Sequence, residues 1–297
     1  MGKKITVIII VFFAVLIFAA AWYFSTMIIY PPKKECPADH FIYCKEPSEL
    51  NLAFEDISFK SIDGLTLKGW FIPSGKSKKA IIFVHGHGAT RREGMRWLKA
   101  FNKAGFNTLV FDLRHSGDSD KAWISMGYHE KNDVISAVDF IDKIKGVRKI
   151  GLFGVSMGGA SGIYAMSMDK RIQAGVFEAS YANLNDLITE IAKRDYGLPR
   201  FPIVSLTMML FELRARADVD DISPEKVIGS ISPRPVFIMH CKDDPYIPYS
   251  HAQRIYSKAG EPKEMWTHSC KVHAEAWQAD PAYIEKRVAG FFNKYVK

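Results

Sequence analysis

Signatures of metal and cofactor binding are scarce in this sequence. Its four cysteines form no C-x-x-C pair, and His85 and His87 share a glycine turn with no third ligand nearby. A zinc or dithiol redox centre is therefore not indicated. No dinucleotide-type glycine fingerprint follows the first strand-like run, so no cofactor is expected. Internal repeats and low-complexity segments are missing as well, which argues against a solenoid or an extended disordered chain. There is also no stripe of interleaved aromatic and basic residues, so the net charge of +8 does not point to nucleic acid.

Charge is missing altogether from one long stretch. After "MGKK", residues 5–30 read "ITVIIIVFFAVLIFAAAWYFSTMIIY", with no ionisable group except tyrosines. About 26 residues at 1.5 Å each suffice to cross a ~30 Å hydrocarbon core with some tilt. Trp22, Tyr23 and Tyr30 suit an interfacial belt, and "PPKK" ends the helix. Residues 1–30 are therefore read as a single-pass transmembrane anchor. A cleaved secretory signal is the competing reading, because Ala19 and Ala21 form an A-x-A site; the apolar run continues about nine residues beyond it, longer than a signal needs. Lys3 and Lys4 precede the span and Lys33 and Lys34 follow it. The very short basic tail favours a cytoplasmic N-terminus with the body of the protein extracytoplasmic. Cys36 and Cys44, just beyond the span, either close a small disulfide loop or stay as two thiols.

The remaining length, with 48% hydrophobic and 24% charged residues overall, fits one large folded domain. Residues 31–53 are an irregular linker rich in Pro, Lys and Glu. From residue 54, "FEDISFKSIDGLTLKGWFIP" alternates on both sides of Asp63–Gly64, which predicts a β-hairpin. "KAIIFVHG", "FNTLVFD", "RKIGLFG", "IQAGVFEAS", "RPVFIMHC" and "KEMWTHSC" read as further strands, most continuously apolar and so buried on both faces. Helical patterns lie between them, one presenting Val134, Ala137, Val138, Ile141 and Ile144 on a single face. Alternating strands and helices predict an α/β fold with a mostly parallel sheet covered on both sides. One connection is far longer than the usual few residues. Residues 181–233 include the helical "FPIVSLTMMLFELRARADV" and are read as a lid inserted after the sixth strand.

In such sheets reactive groups gather at the carboxyl ends of the strands. The polar residues there are His85, His87, Asp112, Arg114, Ser156, Glu178, Asp243, Asp244 and His273. Gly154-Val155-Ser156-Met157-Gly158 fits G-x-S-x-G between a strand and a helix, where the turn exposes the serine and the helix N-terminus offers unpaired N–H groups. A serine hydroxyl needs a base, itself oriented by an acid, and this elbow expects the order Ser, Asp or Glu, His. After Ser156, His273 is the histidine that follows a strand with room to turn back; His240, His251 and His268 are read as packing or surface residues. "HCKDDPYIP" offers Asp243 and Asp244, and spacing alone does not choose between them. "HGHGAT" at residues 85–90 has the glycine-rich form of an oxyanion loop, with the backbone N–H groups of His87 and Met157 as donors. His85 is expected to brace that loop.

With "FVHGHG", "DLRHSGDSD", "GVSMGG", "HCKDDPYIP" and "HAEAW" in place, residues 54–296 resemble the α/β-hydrolase superfamily. The likeness is to its membrane-anchored serine hydrolases related to serine aminopeptidases and dienelactone hydrolase. The resemblance implies an α/β-hydrolase fold of about eight strands over residues 54–297, with the lid at 181–233. It also selects Asp244 as the acid, because Ile247–Pro248 ends the family's motif, giving a catalytic set of Ser156, Asp244 and His273. Cys241 and His115 stand where the family has glycine. Cys241 lies three residues before Asp244, and Cys270 three before His273. If that acid and base touch, a Cys241–Cys270 disulfide is expected in an oxidising compartment.

The activity expected is hydrolysis of a carboxylic ester through an acyl-enzyme. The apolar lid and the nearby membrane suggest a lipid-derived or other acyl ester as the small-molecule substrate. A peptidase or amidase is the alternative; it would use Glu190, Asp195 or Glu212 of the lid to hold an α-ammonium. A non-catalytic binding module is the third reading, and the serine at the elbow excludes reactions needing a carboxylate nucleophile there. Nothing in the sequence sets the oligomeric state.

Overall fold

The computed structural model describes residues 2–32, 43–143 and 147–297. Strands β1 (Glu55–Lys60) and β2 (Thr66–Ile72) form the expected hairpin, with Gly64 at φ +88° in its turn. Six strands follow: β3 (Lys79–Val84), β4 (Asn107–Phe111), β5 (Lys149–Val155), β6 (Ile172–Glu178), β7 (Val236–Cys241) and β8 (Lys263–His268). They build one eight-stranded sheet in the order β1-β2-β4-β3-β5-β6-β7-β8, in which only β2 runs against the rest.

The helices are α1 (Gly2–Ile29), α2 (Met95–Lys103), α3 (Glu130–Lys143), α4 (Met157–Met168), α5 (Leu184–Tyr196) and α6 (Ser205–Ala215). Then come α7 (Pro224–Val227), α8 (Tyr249–Lys258), α9 (Ala276–Ala279) and α10 (Pro281–Tyr295). The period of two along β3 divides them into layers. Ile81 and Phe83 pack into one core with Trp97 and Phe101 of α2 and Phe292 of α10. Ile82 and Val84 join the opposite core with Val138 of α3, Ile163 of α4 and Ile255 of α8. The predicted α3 face is buried at Val134, Ala137, Val138 and Ile141; Ile144 lies outside the described residues.

Three other expectations meet the structure at this level. The β6–β7 connection carries α5, α6 and α7, with a turn at Arg200–Val204 leading into α6. The described part of the linker holds a short 3-10 turn, Pro47–Leu50, whose Leu50 is buried. The Cys36–Cys44 pairing falls on Cys36, outside the described residues. The chain winds from β3 outward to β4 and returns to β5 on the other side of β3. The loops after β3 and β5 therefore flank a crevice at the strands' carboxyl ends.

Candidate active site

β5 hands over directly to α4 at Ser156, whose φ of 54° and ψ of −118° lie outside the regions an L-residue favours. Holding it there costs about 1–3 kcal/mol and is tolerated because its surroundings fix the turn. Those surroundings demand glycine. A Cβ on Gly154 would stand 2.4 Å from the Gly158 carbonyl oxygen, and one on Gly158 would stand 2.2 Å from that of Val84. The Ser156 N–H donates to the Glu178 carbonyl at 2.8 Å, which ties the corner to the end of β6. Met157, buried, is the first residue of α4, where a backbone N–H has no intrahelical acceptor.

His273 follows β8, and its Nδ1 lies 2.8 Å from Asp244 Oδ2 and 3.0 Å from Oδ1. Asp244 is buried, and its Oδ1 also accepts the N–H groups of Tyr246 and Ile247. Burial pushes this carboxyl up, but the His273 ring and those two N–H groups outweigh it and hold it below its usual value. Asp243 is exposed to solvent. Of the two carboxylates that spacing left open, Asp244 is the buried one that meets His273. The His273 Nε2 is buried with no hydrogen-bond partner among the described residues.

The two loops that carry this pair are tied to each other. Cys241 ends β7 and forms a disulfide with Cys270 beyond β8, with Cα atoms 5.8 Å apart. The Lys242 N–H donates to the His268 carbonyl alongside. Glu178, at the end of β6, accepts the Ala276 N–H through Oε1 and so fastens the turn after His273.

The loop after β3 is braced as expected. The buried His85 accepts the Leu113 N–H at Nε2, while its Nδ1 lies 2.8 Å from the Gly86 carbonyl. That pattern fits a neutral ring protonated on Nδ1. The Gly86 N–H donates to Glu93, and the His87 ring meets the Ile28 carbonyl of α1 at 2.8 Å through Nε2.

Ser156, His87 and His273 line one cavity of about 610 Å³. Asp244 stands behind His273, and Met157 lies under the serine corner. Asp112 and Arg114 are spent on ion pairs instead, Asp112 with Arg91 and Arg114 with Asp133 and Asp63. His115 takes φ 63°, which accounts for the family's glycine at that position, and its ring lies 5.1 Å from Tyr30 rather than on the cavity wall.

Most of the wall is apolar. α5 contributes Leu187, Ile188 and Ile191, and the segment before α6 contributes Ile203 and Val204. Among the described lining residues there is no carboxylate. Glu190 meets His251, Asp195 meets Arg194, and Glu212 accepts the Val219 N–H, so the three acids considered for an α-ammonium are engaged elsewhere. Two contributions were not anticipated from the sequence. Tyr246 sets its ring 5.8 Å from that of His273. Phe24, Met27, Ile28, Pro31 and Pro32, from the end of α1 and just beyond, form a side of the cavity.

A strained serine between strand and helix, with a histidine–aspartate pair from later strand ends, is the arrangement of an α/β hydrolase. The family model for the alpha/beta hydrolase fold matches residues 79–205. The Pyrococcus furiosus esterase Pf2001 superposes with a TM-score of 0.74 at 24% identity, over 91% of this chain and 99% of that one. An uncharacterised Bacillus subtilis protein, YqkD, is 27% identical over 233 residues, spanning 77% of this chain and 76% of its own. The thiohydrolase aneE of Aspergillus aculeatus is 32% identical over 125 residues, 40% of this chain and 39% of its own. The chain has the α/β-hydrolase fold, and residues 79–205 match the model of that family.

Proposed function

We propose that the chain is a membrane-anchored serine hydrolase that cleaves a carboxylic ester. The observation that carries this reading is the Asp244–His273 pair, set on the same cavity as a serine held at a strained corner. Ser156 Oγ attacks the acyl carbon as His273 Nε2 takes its proton, a contact that in unliganded enzymes often tightens only with substrate. Asp244 holds the ring in the tautomer with Nδ1 protonated. The oxyanion is received by the backbone N–H groups of His87 and Met157, at the positive end of α4. The acyl C–O bond breaks, the alcohol leaves with the proton, and water then releases the acid from the serine.

The wall chemistry favours an ester over a peptide. A free α-ammonium requires an anion beside it, and the described lining provides none. Similarity to proteins named as an esterase and a thiohydrolase agrees with acyl transfer to water. Residues 181–233 act as the lid, and the exposed apolar length of α1 serves as the anchor. The Cys241–Cys270 disulfide supports an extracytoplasmic body, with Lys3 and Lys4 left in the cytoplasm. The decisive experiment is fluorophosphonate labelling beside p-nitrophenyl ester hydrolysis. Wild type should label and turn over, and Ser156→Ala should lose the label and at least about 10³-fold of kcat. A pure, folded wild type that does neither is a binding protein.

A further inference from the structure

The anchor helix is also part of the cavity. Residues 2–20 of α1 are almost wholly exposed, and at Ala21 the environment changes. Ala21, Ser25 and Ile29, four residues apart on one face, are buried, and this end of α1 packs against α6. Arg214 of α6 donates through Nη1 to the Trp22 carbonyl, Ser25 Oγ and Thr26 Oγ1. Its guanidinium also lies 4.1 Å from the Trp22 ring centroid. The indole and the Tyr23 phenol, both exposed, stand where the bare helix ends, the level at which such rings meet a membrane surface. Counting from Trp22, Ile28 is six residues on, about 9 Å along the axis. The Ile28 carbonyl already meets His87 beside the serine. The end of α1 that reaches the cavity therefore lies about one or two helical turns beyond Trp22.

The insert adds a second observation. Phe201, Met209 and Leu213 are 78%, 54% and 76% exposed, on segments that pack against α1. Large apolar side chains this exposed are costly in water, and these lie on segments packed against a helix long and apolar enough to span a membrane. A lipid leaflet around α1 is the covering that such side chains call for.

Building on the ester-hydrolase reading, we propose that the cavity opens to the bilayer between α1 and the insert. The substrate is a long-chain acyl ester taken laterally from that leaflet, with Phe24, Met27 and Ile28 as the residues that select the acyl chain. The chain enters along the apolar wall and leaves the ester carbonyl at Ser156, where the alcohol is displaced.

The test uses the full-length protein in phosphatidylcholine vesicles. It compares 4-methylumbelliferyl palmitate carried in the bilayer with 4-methylumbelliferyl acetate in the water phase. Met27→Trp should lower the palmitate-to-acetate ratio of kcat/KM at least tenfold. The double variant Phe201→Asp, Leu213→Asp should lower it at least fivefold, and it decides the matter if the tryptophan variant no longer labels with fluorophosphonate. A ratio unmoved by either change, a wild type that prefers acetate, or a patch found buried between two copies of the chain overturns this inference alone. A wild type that hydrolyses neither ester overturns the hydrolase reading with it.

Discussion

The two sides of the cavity are built by opposite means. The side that holds Ser156, Asp244 and His273 is made of strand-end loops, each pinned by backbone hydrogen bonds, by glycines with no room for a Cβ, and by a disulfide between the acid's loop and the base's loop. The side formed by α1, α5 and the segment before α6 is made mostly of aliphatic and aromatic side chains, and it meets the pinned side through the contact of the Ile28 carbonyl with the His87 ring. Directional contacts fix atoms to within tenths of an ångström, which the reaction requires. Apolar contacts fix volume and leave shape adaptable, which suffices to hold a chain of methylenes. On this reading one side sets whether the reaction happens, and the other sets on what.

Changes on the pinned side should therefore be the more damaging. Asp244→Asn keeps the shape but offers the ring a donor where it needs an acceptor, and kcat should fall by about 10⁴, on the order of 5 kcal/mol of barrier. Esterase kinetics with a water-soluble substrate measure it, and a loss under tenfold would mean that another acid orients His273. The same variant carries a pH signature. The Asp244 carboxyl is held below its usual value, so the folded state prefers it ionised. That stabilisation is complete above about pH 4, the unfolded value, and is lost as pH falls through the lower folded value. The stability gap between wild type and variant in denaturant unfolding should therefore narrow below about pH 4. A gap that widens on acidification contradicts the assignment.

Next in size is the staple. Replacing Cys241 and Cys270 together by alanine opens a loop with a sequence separation of 29. The expected destabilisation is about 3–4 kcal/mol, visible as a lower denaturation midpoint. If the two sides are as independent as their construction suggests, the palmitate-to-acetate ratio of the folded fraction should stay within about twofold. A larger change in the ratio would show that the acid and base loops shape the chain-binding wall as well.

The contrast also explains what could be read in advance. The pinned side was legible because its constraints are written as residue types: glycines flanking Ser156, a histidine after the last strand, an aspartate in a family motif. What spacing could not supply was the choice of Asp244 over Asp243, because adjacent carboxylates differ only in burial, which depends on β7 and its following turn. The existence of the insert was legible from the excess length between β6 and β7. Its contact with α1 was not, since 26 consecutive uncharged, mostly apolar residues give hydropathy no way to distinguish a lipid-facing surface from a protein-facing one. The faint signal lay in the small side chains Ala21 and Ser25, four apart on one face, the kind of spacing that lets another helix approach closely. Arg214 offers no hint at all in the sequence.

Arg214 gives the smallest but sharpest way to separate the two sides. Its three hydrogen bonds and its contact with Trp22 join α6 to the end of α1, and among the described residues none of its hydrogen bonds reaches the pinned side. Arg214→Ala removes a part-buried cation together with its partners' acceptor contacts, and the freed acceptors at the rim can turn to solvent. The cost should therefore be modest, about 1–2 kcal/mol, and local to the docking of α1. Amide hydrogen exchange in vesicles reads this directly. Protection over residues 22–29 should fall by about tenfold, while β3, β5 and α4 should keep theirs, because their bonds open only with the global transition. Equal loss of protection in both regions would mean that α1 is integral to the sheet's stability. No loss in either would mean that the Ala21, Ser25 and Ile29 face alone holds the helix, leaving Arg214 a surface contact of little energetic weight.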